Sequence, residues 1–138
     1  MTDNDLILMM GMPRSGKSTV AKELGYPMVN PDSIRLALHG KAFEPLAEPM
    51  VWTIAKYMVK SLFIAGHGTV ILDATNITRA RRKEWDSKTW DSRILLVDTP
   101  LDVCIARAKK CDFPVNVVKR MYNQMELPSA TELIWETE

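Results

Sequence analysis

Apolar positions in this chain follow two patterns, short unbroken runs and longer repeats at helical spacing. An unbroken apolar run such as residues 6–10 is typical of a strand buried on both faces of a parallel sheet. The apolar side chains within residues 51–65 recur at helical spacing, which indicates a helix with one buried face. The unbroken runs predict strands at residues 6–10, 26–30, 69–72, 94–97 and 133–135.

The segments between these strands predict helices whose ends are marked by glycines and capping residues. Gly25 ends the first helix, and Asp32 or Ser33 can cap the second. Thr78 can cap a basic helix that continues to about Trp90. The predicted helices cover residues 17–24, 34–38, 51–65, 78–90, 101–109 and 115–125, with a loop at 40–49 and a turn at 112–114.

Strands that alternate with helices predict a parallel sheet with right-handed crossovers and helices on both of its faces. The chain has 138 residues, of which 46% are hydrophobic, so it can bury one continuous core. We therefore expect a single α/β domain over residues 1–138.

The first predicted strand and the first predicted helix are joined by a phosphate-binding motif. Residues 11–18 match the P-loop pattern G-x-x-x-x-G-K-[ST]. A chance glycine-rich turn is the alternative, but the four fixed positions coincide in the structural context that the motif requires. We expect Lys17 to reach the β- and γ-phosphates of ATP and Ser18 to bind Mg²⁺. The predicted nucleotide-binding residues are Gly11, Met12, Pro13, Arg14, Ser15, Gly16, Lys17, Ser18 and Thr19.

Two aspartates end apolar runs and are candidates for the chemistry. Asp73 follows the third strand at the carboxyl edge of the sheet, where we expect it to bind the metal; the alternative is a turn or capping aspartate. Asp32 follows the second strand, with Arg35 one helical turn further on. A general base and a cation for an anionic acceptor would then be adjacent, although an N-cap and a solvated arginine fit the local sequence equally well.

Four segments resemble, in order and spacing, the kinase domain of bacteriophage polynucleotide 5′-kinase. They are residues 11–19, 30–35, 70–82 and 114–122. The resemblance implies a three-layer P-loop NTPase fold with a parallel sheet ordered 2-3-1-4-5. It also implies that Asp32 is the general base, that Arg35 contacts an acceptor phosphate, and that Thr75 and Asn76 lie near the acceptor and the transferred phosphate. Broader P-loop kinases and zeta-type toxins share these motifs.

This family has a mobile lid, which corresponds here to about residues 107–114. The family's lid carries two arginines four residues apart, the second of them catalytic. Arg107 matches the first, whereas the second falls on Cys111, or on Lys110 if the gap is moved. We expect Arg107 and Lys110 to stabilise the transition state, with Lys110 a weaker substitute for arginine. The alternative is that Arg107 stacks on the adenine and Lys110 is a solvated surface charge.

The fourth predicted helix carries a basic face. Arg79, Arg82 and Lys83 recur on one side of it and can follow a polyanion, with Arg79 as a substrate-binding residue. A solvated basic face is the alternative. Three tryptophans, Trp52, Trp85 and Trp90, are expected to pack in the core.

Composition limits the setting in which this chemistry takes place. The formal net charge is +1 and 25% of the residues are charged, which excludes a disordered chain and a strongly basic coat. Cys104 and Cys111 lack metal-ligand spacing and are expected to be free thiols in a reducing compartment. The run at residues 6–10 is too short for a signal peptide or a membrane span. We therefore expect a cytoplasmic protein.

The motifs together predict an ATP- and Mg²⁺-dependent kinase that acts on a hydroxyl group. The leading acceptor is a polynucleotide 5′-hydroxyl or a nucleotide-like compound. A zeta-toxin-like or small-metabolite kinase uses the same machinery. A module that binds ATP but has lost transfer is the third reading, because the lid departs from the family pattern.

Overall fold

The computed structural model describes residues 1–40 and 43–136. Its core is a five-stranded parallel sheet in the order β2-β3-β1-β4-β5. The strands are β1 (Asp5–Met10), β2 (Met28–Val29), β3 (Thr69–Leu72), β4 (Asp91–Leu96) and β5 (Leu133–Ile134). The predicted parallel sheet and its order are both confirmed.

Helices connect successive strands and cover both faces of the sheet. They are α1 (Lys17–Leu24), α2 (Pro31–His39), α3 (Glu48–Ile64), α4 (Arg79–Lys83), α5 (Leu101–Lys110) and α6 (Val115–Gln124). The predicted loop at 40–49 includes residues 41 and 42, which lie outside the described residues. It ends earlier than predicted, in a 3₁₀ turn (Pro45–Ala47), and Pro49 lies in the first turn of α3, where a missing N–H removes no helical hydrogen bond.

The alternating side chains of β1 divide the core into two layers. Leu6 and Leu8 pack with residues of α2 and α3 on one face, whereas Ile7 and Met9 pack against α1 on the other. A third apolar cluster joins Met12 to α5 and α6. The loop that follows β1 is therefore held from below by the sheet and from the side by α5 and α6.

The ends of two helices differ from the prediction. Neither Asp32 nor Ser33 caps α2: the helix begins at Pro31, and the side chain of Asn30 accepts a hydrogen bond from the Asp32 amide at 2.8 Å. Asn30 therefore takes the capping role, which an asparagine before a helical proline is well suited to fill.

The predicted extension of α4 to about Trp90 is wrong, since the helix ends at Lys83. The Trp85 amide donates to a carbonyl three residues back, which tightens the chain into a turn. The Trp85 carbonyl accepts hydrogen bonds from Trp90 Nε1 at 2.9 Å and Ser92 Oγ at 2.8 Å instead of from a helical amide. Packing of two buried indoles therefore overrides the local helical pattern.

None of the helices within residues 1–40 and 43–136 is both long and apolar enough to cross a membrane.

Candidate functional site

The loop between β1 and α1 is closely packed around its first glycine. The Gly11 amide donates to the Thr75 carbonyl at 3.1 Å, which fixes the loop to the segment after β3. A Cβ at Gly11 would lie 2.8 Å from Ser15 Oγ and 3.0 Å from the Val97 carbonyl oxygen, so a larger residue does not fit. This compact turn at the N-terminus of α1 is the shape that a phosphate cradle requires.

Two positive φ angles turn the loop toward the helix. Gly16 has φ 97° and Arg14 has φ 67°. Glycine adopts this region without strain, whereas Arg14 is held there by its surroundings. The Arg14 carbonyl accepts a hydrogen bond from Arg107 Nη1 at 3.1 Å, and its guanidinium lies 5.2 Å from the centre of the Phe113 ring. One residue of α5 and one of the α5–α6 connection thus hold the loop in place.

The side chain of Lys17, the first residue of α1, contacts this loop rather than extending into solvent. Its Nζ donates to the Met12 carbonyl at 2.9 Å. Burial lowers the pKa of Lys17 below its ordinary value of 10.5, and the nearby Asp73 carboxylate opposes that shift. A phosphate would favour the charged form and supply the counter-charge that burial demands.

A hydroxyl and a carboxylate meet beside the cradle in a group suited to Mg²⁺. Ser18 Oγ donates to Asp73 Oδ2 at 2.9 Å, and Asp73 is only 6% exposed at the end of β3. Mg²⁺ commonly takes one or two carboxylates and completes its shell with water and phosphate oxygens, so these two oxygen donors fit it. Across the described part of the chain, no group of three or more His, Cys, Asp or Glu side chains could hold a metal.

Asn30 is a site residue that the sequence analysis did not identify. Its Nδ2 donates to Asp73 Oδ2 at 3.4 Å, while its Oδ1 caps α2 through the Asp32 amide. One side chain therefore connects the Asp73 carboxylate to the helix start that carries Asp32. Its capping role could have been recognised from the Asn-Pro pair, but its contact with Asp73 spans 43 residues and has no local signature.

Asp32 and Arg35 lie together at the start of α2, as the i, i+3 spacing predicted. Arg35 Nη1 is 2.6 Å from Asp32 Oδ1, and the Asp32 side chain is 70% exposed. The Nε and Nη2 atoms of Arg35 donate to the two carboxylate oxygens of Glu48 at 2.9 and 2.6 Å. The Arg35 side chain is 14% exposed. Its hydrogen bond to Glu48, and to a lesser extent the one to Asp32, raises its pKa. Glu48 stands in the predicted loop and was not identified as a site residue.

The ring of Trp52 lies close to two arginines. The Arg81 guanidinium is 4.4 Å from the ring centre, and that of Arg35 is 5.8 Å away. Trp52 also packs against the core, as predicted, and makes an edge contact with Trp85. Trp52 therefore links the core to the arginines of α2 and α4.

Thr75 and Asn76 join the end of β3 to the cradle. The Thr75 carbonyl accepts the Gly11 amide, as described above. Asn76 is buried with φ 47°, and its Nδ2 donates to the Met9 carbonyl at 2.7 Å. Its own carbonyl accepts from Arg82 Nη1 at 2.9 Å. The amide of Asn76 therefore braces the edge of the sheet under the loop.

The residues of the basic face predicted around Arg79 make different contacts. Arg79 donates from Nε and Nη2 to the Leu127 carbonyl at 3.2 and 3.1 Å. Arg82 is buried and forms a two-point ion pair with Glu132 at 2.7 and 3.1 Å. The prediction that Arg82 follows a polyanion or is solvated is therefore wrong, because its guanidinium is enclosed by protein.

The predicted lid begins inside α5. Residues 107–110 form the last turn of this helix, and residues 111–114 connect it to α6. Arg107 and Lys110 line a hollow of 330 Å³ on the helix surface. Arg107 lies against the cradle, with Nη1 3.7 Å from the position of a Cβ on Gly16.

A larger groove of 610 Å³ opens beside Ser18 and Asp73. It runs from Ser18, Asn30 and Asp73 between α2 and α3 toward the free edge of β2. Apolar side chains form much of its wall, including Ile34, Leu38, Ile54 and Met58. Its size is that of small-molecule sites.

A protein-family model described as an AAA domain (AAA_33) matches residues 6–128. No curated protein matches the chain.

Several solved structures have a similar fold. A chain of the Pnkp1/Rnl/Hen1 RNA repair complex gives a TM-score of 0.76 at 18% identity, covering 95% of this chain and 51% of that one. A second structure of the Pnkp1/Rnl/Hen1 complex gives 0.68 at 26% identity, covering 75% and 38%. A sugar kinase from Janibacter sp. HTCC2649 gives 0.70 at 20% identity, covering 96% and 83%. This chain thus spans about half the length of the first repair-complex chain and 38% of the length of the second.

Proposed function

Because this chain belongs to the AAA_33 family of AAA domains and has a P-loop kinase-like fold, we propose that it transfers the γ-phosphoryl group of ATP to a hydroxyl. Residues 1–138 act as one kinase domain in this proposal. The acceptor oxygen forms a bond to Pγ while the bond from Pγ to the bridging oxygen breaks and ADP departs with the electron pair. The acceptor proton passes to the Asp32 carboxylate.

One observation carries the proposal, the connection from Asp73 through Asn30 to the cap of α2. It brings Asp73, which we propose binds the metal, and Asp32, the exposed candidate base, to the same carboxyl edge of the sheet. Ligands of open α/β sheets bind at that edge, and phosphoryl transfer depends mainly on positioning and on charge stabilisation there.

The remaining residues have distinct roles in this scheme. The backbone of the cradle and Lys17 hold the phosphates. Mg²⁺ held by Ser18 and Asp73 would neutralise charge on the β- and γ-phosphates. Arg107 and Lys110 on α5 provide cations for charge that develops on the transferred group.

A polynucleotide 5′-hydroxyl is the acceptor that the motif resemblance favours. Two observations support it: the 26% identity to a chain of the Pnkp1/Rnl/Hen1 complex, and the exposed basic residues Arg79 and Lys83. A local basic surface can bind a nucleic-acid backbone even when the net charge is near zero. A cytoplasmic location, where ATP and nucleic acid are both present, belongs to the same proposal.

A small uncharged polyol is the second candidate acceptor. The two-point contact of Arg35 with Glu48 favours it, because the cation expected to meet an acceptor phosphate is already bound to a carboxylate. The groove of 610 Å³ beside Ser18 and Asp73 has room for such a compound.

The reaction is tested with labelled ATP and a panel of oligonucleotides, nucleosides and sugars. Asp32→Asn should bind ATP with wild-type affinity but transfer about 10²–10⁴-fold more slowly, since a general base acts only on the acceptor proton. Asp86→Asn, at an exposed aspartate beyond α4, is the matched control and should transfer normally. Wild-type turnover in Asp32→Asn would exclude Asp32 as the base. Tight ATP binding with no labelled acceptor would instead indicate a module that has lost transfer.

A further inference from the structure

Glu48 is bound to Arg35, the cation of the proposed acceptor site. Its carboxylate binds the Nε and Nη2 edge of Arg35 at 2.9 and 2.6 Å, while Asp32 binds Nη1 at 2.6 Å. Two-point arginine–carboxylate contacts are among the strongest and most directional ion pairs. The edge of Arg35 that would hold a phosphate by two hydrogen bonds is therefore taken.

The position of Glu48 stabilises this arrangement. Glu48 is the first residue of α3, so its charge lies at the positive end of the helix dipole. Its side chain is 16% exposed, and α3 packs directly against α2, which carries Arg35. The pair thus joins two helices and is partly shielded from solvent.

The charges around the pair do not favour an anion. One guanidinium faces two carboxylates, those of Asp32 and Glu48. The other cation on the Trp52 ring, Arg81, is itself paired with Glu84 at 3.0 Å. A phosphate monoester carries about 1.5 to 2 negative charges at neutral pH, so it would have to displace Glu48 and remain beside Asp32. An uncharged hydroxyl compound has neither requirement.

We infer that Glu48 is a specificity-determining residue, which holds Arg35 in an ion pair and makes this acceptor site select uncharged hydroxyl compounds over those that carry a phosphate next to the reacting hydroxyl. The inference rests on the proposed phosphoryl transfer and specifies its substrate class. Of the two candidate acceptors it selects the uncharged polyol over the polynucleotide, which carries a phosphate on the nucleotide that bears the reacting 5′-hydroxyl. It places Glu48 in a positioning role, because Glu48 acts through Arg35 and not on the reacting atoms.

The test compares paired acceptors in wild type and Glu48→Gln. Transfer from labelled ATP is measured with thymidine and 3′-phosphothymidine, and with glycerol and glycerol 3-phosphate. The wild type should have the higher kcat/KM for the uncharged member of each pair. Glu48→Gln should shift that ratio toward the phosphorylated member by about tenfold or more, because Arg35 is released from its counter-charge. Preference of the wild type for the phosphorylated members, or an unchanged ratio in the variant, would overturn the inference.

Glu84→Gln is the matched control. It removes a carboxylate from the pair that lies over the same tryptophan ring but leaves Arg35 untouched, so the ratio should stay at the wild-type value. A shift as large as that of Glu48→Gln would mean that general charge, not the Arg35 pair, sets the preference. Thermal melting checks that the variants fold, and Glu48→Ala provides a second variant that removes the same charge.

A binding measurement separates this inference from the proposed reaction. If the wild type phosphorylates no acceptor, the transfer proposal fails. Calorimetry with 3′-phosphothymidine in the presence of MgADP then tests Glu48 alone. Glu48→Gln should bind this probe at least about tenfold more tightly than the wild type, and Glu48→Gln combined with Arg35→Gln should lose that gain. Equal affinity in the wild type and Glu48→Gln would refute the role of Glu48 whatever the outcome of the transfer assay.

Discussion

Replacing Glu132 by alanine should destabilise the protein far more than its position near the C-terminal strand would suggest. Its carboxylate is the two-point partner of Arg82, whose side chain is only 1% exposed. The same guanidinium donates to the Asn76 carbonyl at 2.9 Å and contacts Met10. Without Glu132, a buried positive charge would keep these neutral contacts and lose its counter-charge.

The magnitude follows from the burial of the two partners. Removal of one partner from a buried ion pair costs about 3–5 kcal/mol, because the remaining charge is not compensated. Glu132 is 21% exposed, so water can reach part of the vacated space, and we expect the lower end of that range, about 3 kcal/mol. Typical domains have a stability of about 5–15 kcal/mol, so this is a substantial fraction.

Urea unfolding followed by circular dichroism measures the effect. The midpoint should fall without a change in the m-value, which would show that the native state alone has been weakened. Glu84→Ala, which breaks the exposed pair with Arg81, is the control and should cost about 0–1 kcal/mol. A loss below about 1 kcal/mol in Glu132→Ala would refute the view that Arg82 depends on this partner.

Acidification provides a second measurement on the same pair. The hydrogen bond from Arg82 lowers the pKa of Glu132 below its ordinary value of 4.5. A carboxylate with a depressed folded pKa contributes stability above the unfolded pKa and loses it as the pH falls through the folded one. The difference in stability between wild type and Glu132→Ala should therefore be constant above about pH 5 and shrink below pH 4.5.

Two further predictions concern the nucleotide. ATP affinity should fall as the pH rises through the lowered pKa of Lys17, before its ordinary value of 10.5 is reached, because phosphates bind the charged ammonium. Calorimetry across alkaline pH measures this fall, and affinity that stays constant up to 10.5 would contradict it. Lys110→Ala and Arg107→Ala should each lower turnover at saturating ATP by about tenfold, equivalent to about 1.4 kcal/mol of transition-state stabilisation. A rise in KM alone would instead assign Arg107 to the adenine, and unchanged turnover in both would remove α5 from the chemistry.

The local sequence was sufficient to predict the bounds of an element whose ends are set by its own residues. The bounds of β3 match the prediction because its apolar run ends at a charged residue, Asp73. The edge strand β2 is shorter than predicted, Met28–Val29 in place of 26–30. Tyr26 instead makes an edge contact with the Trp135 ring, and Asn30 turns its side chain to the cap of α2. An edge strand has one neighbour, so side-chain interactions at its ends compete more easily with pairing.

Site residues that depend on distant partners could not be predicted in this way. The basic run around Arg82 looks the same in sequence whether it is solvated or buried, and its partner Glu132 lies 50 residues further along. Glu48 likewise meets Arg35 only because α2 and α3 are packed together. The P-loop, in contrast, is one continuous segment whose chemistry resides in its own backbone and side chains.

The hydrogen bond from Lys17 to the Met12 carbonyl fixes the ammonium inside the cradle before a nucleotide arrives. An ammonium has three N–H donors, so Lys17 can keep the Met12 carbonyl at 2.9 Å and still offer two donors to phosphate oxygens. Its side chain is therefore ordered in advance, and nucleotide binding loses less rotamer entropy than it would with a lysine that extends freely into water.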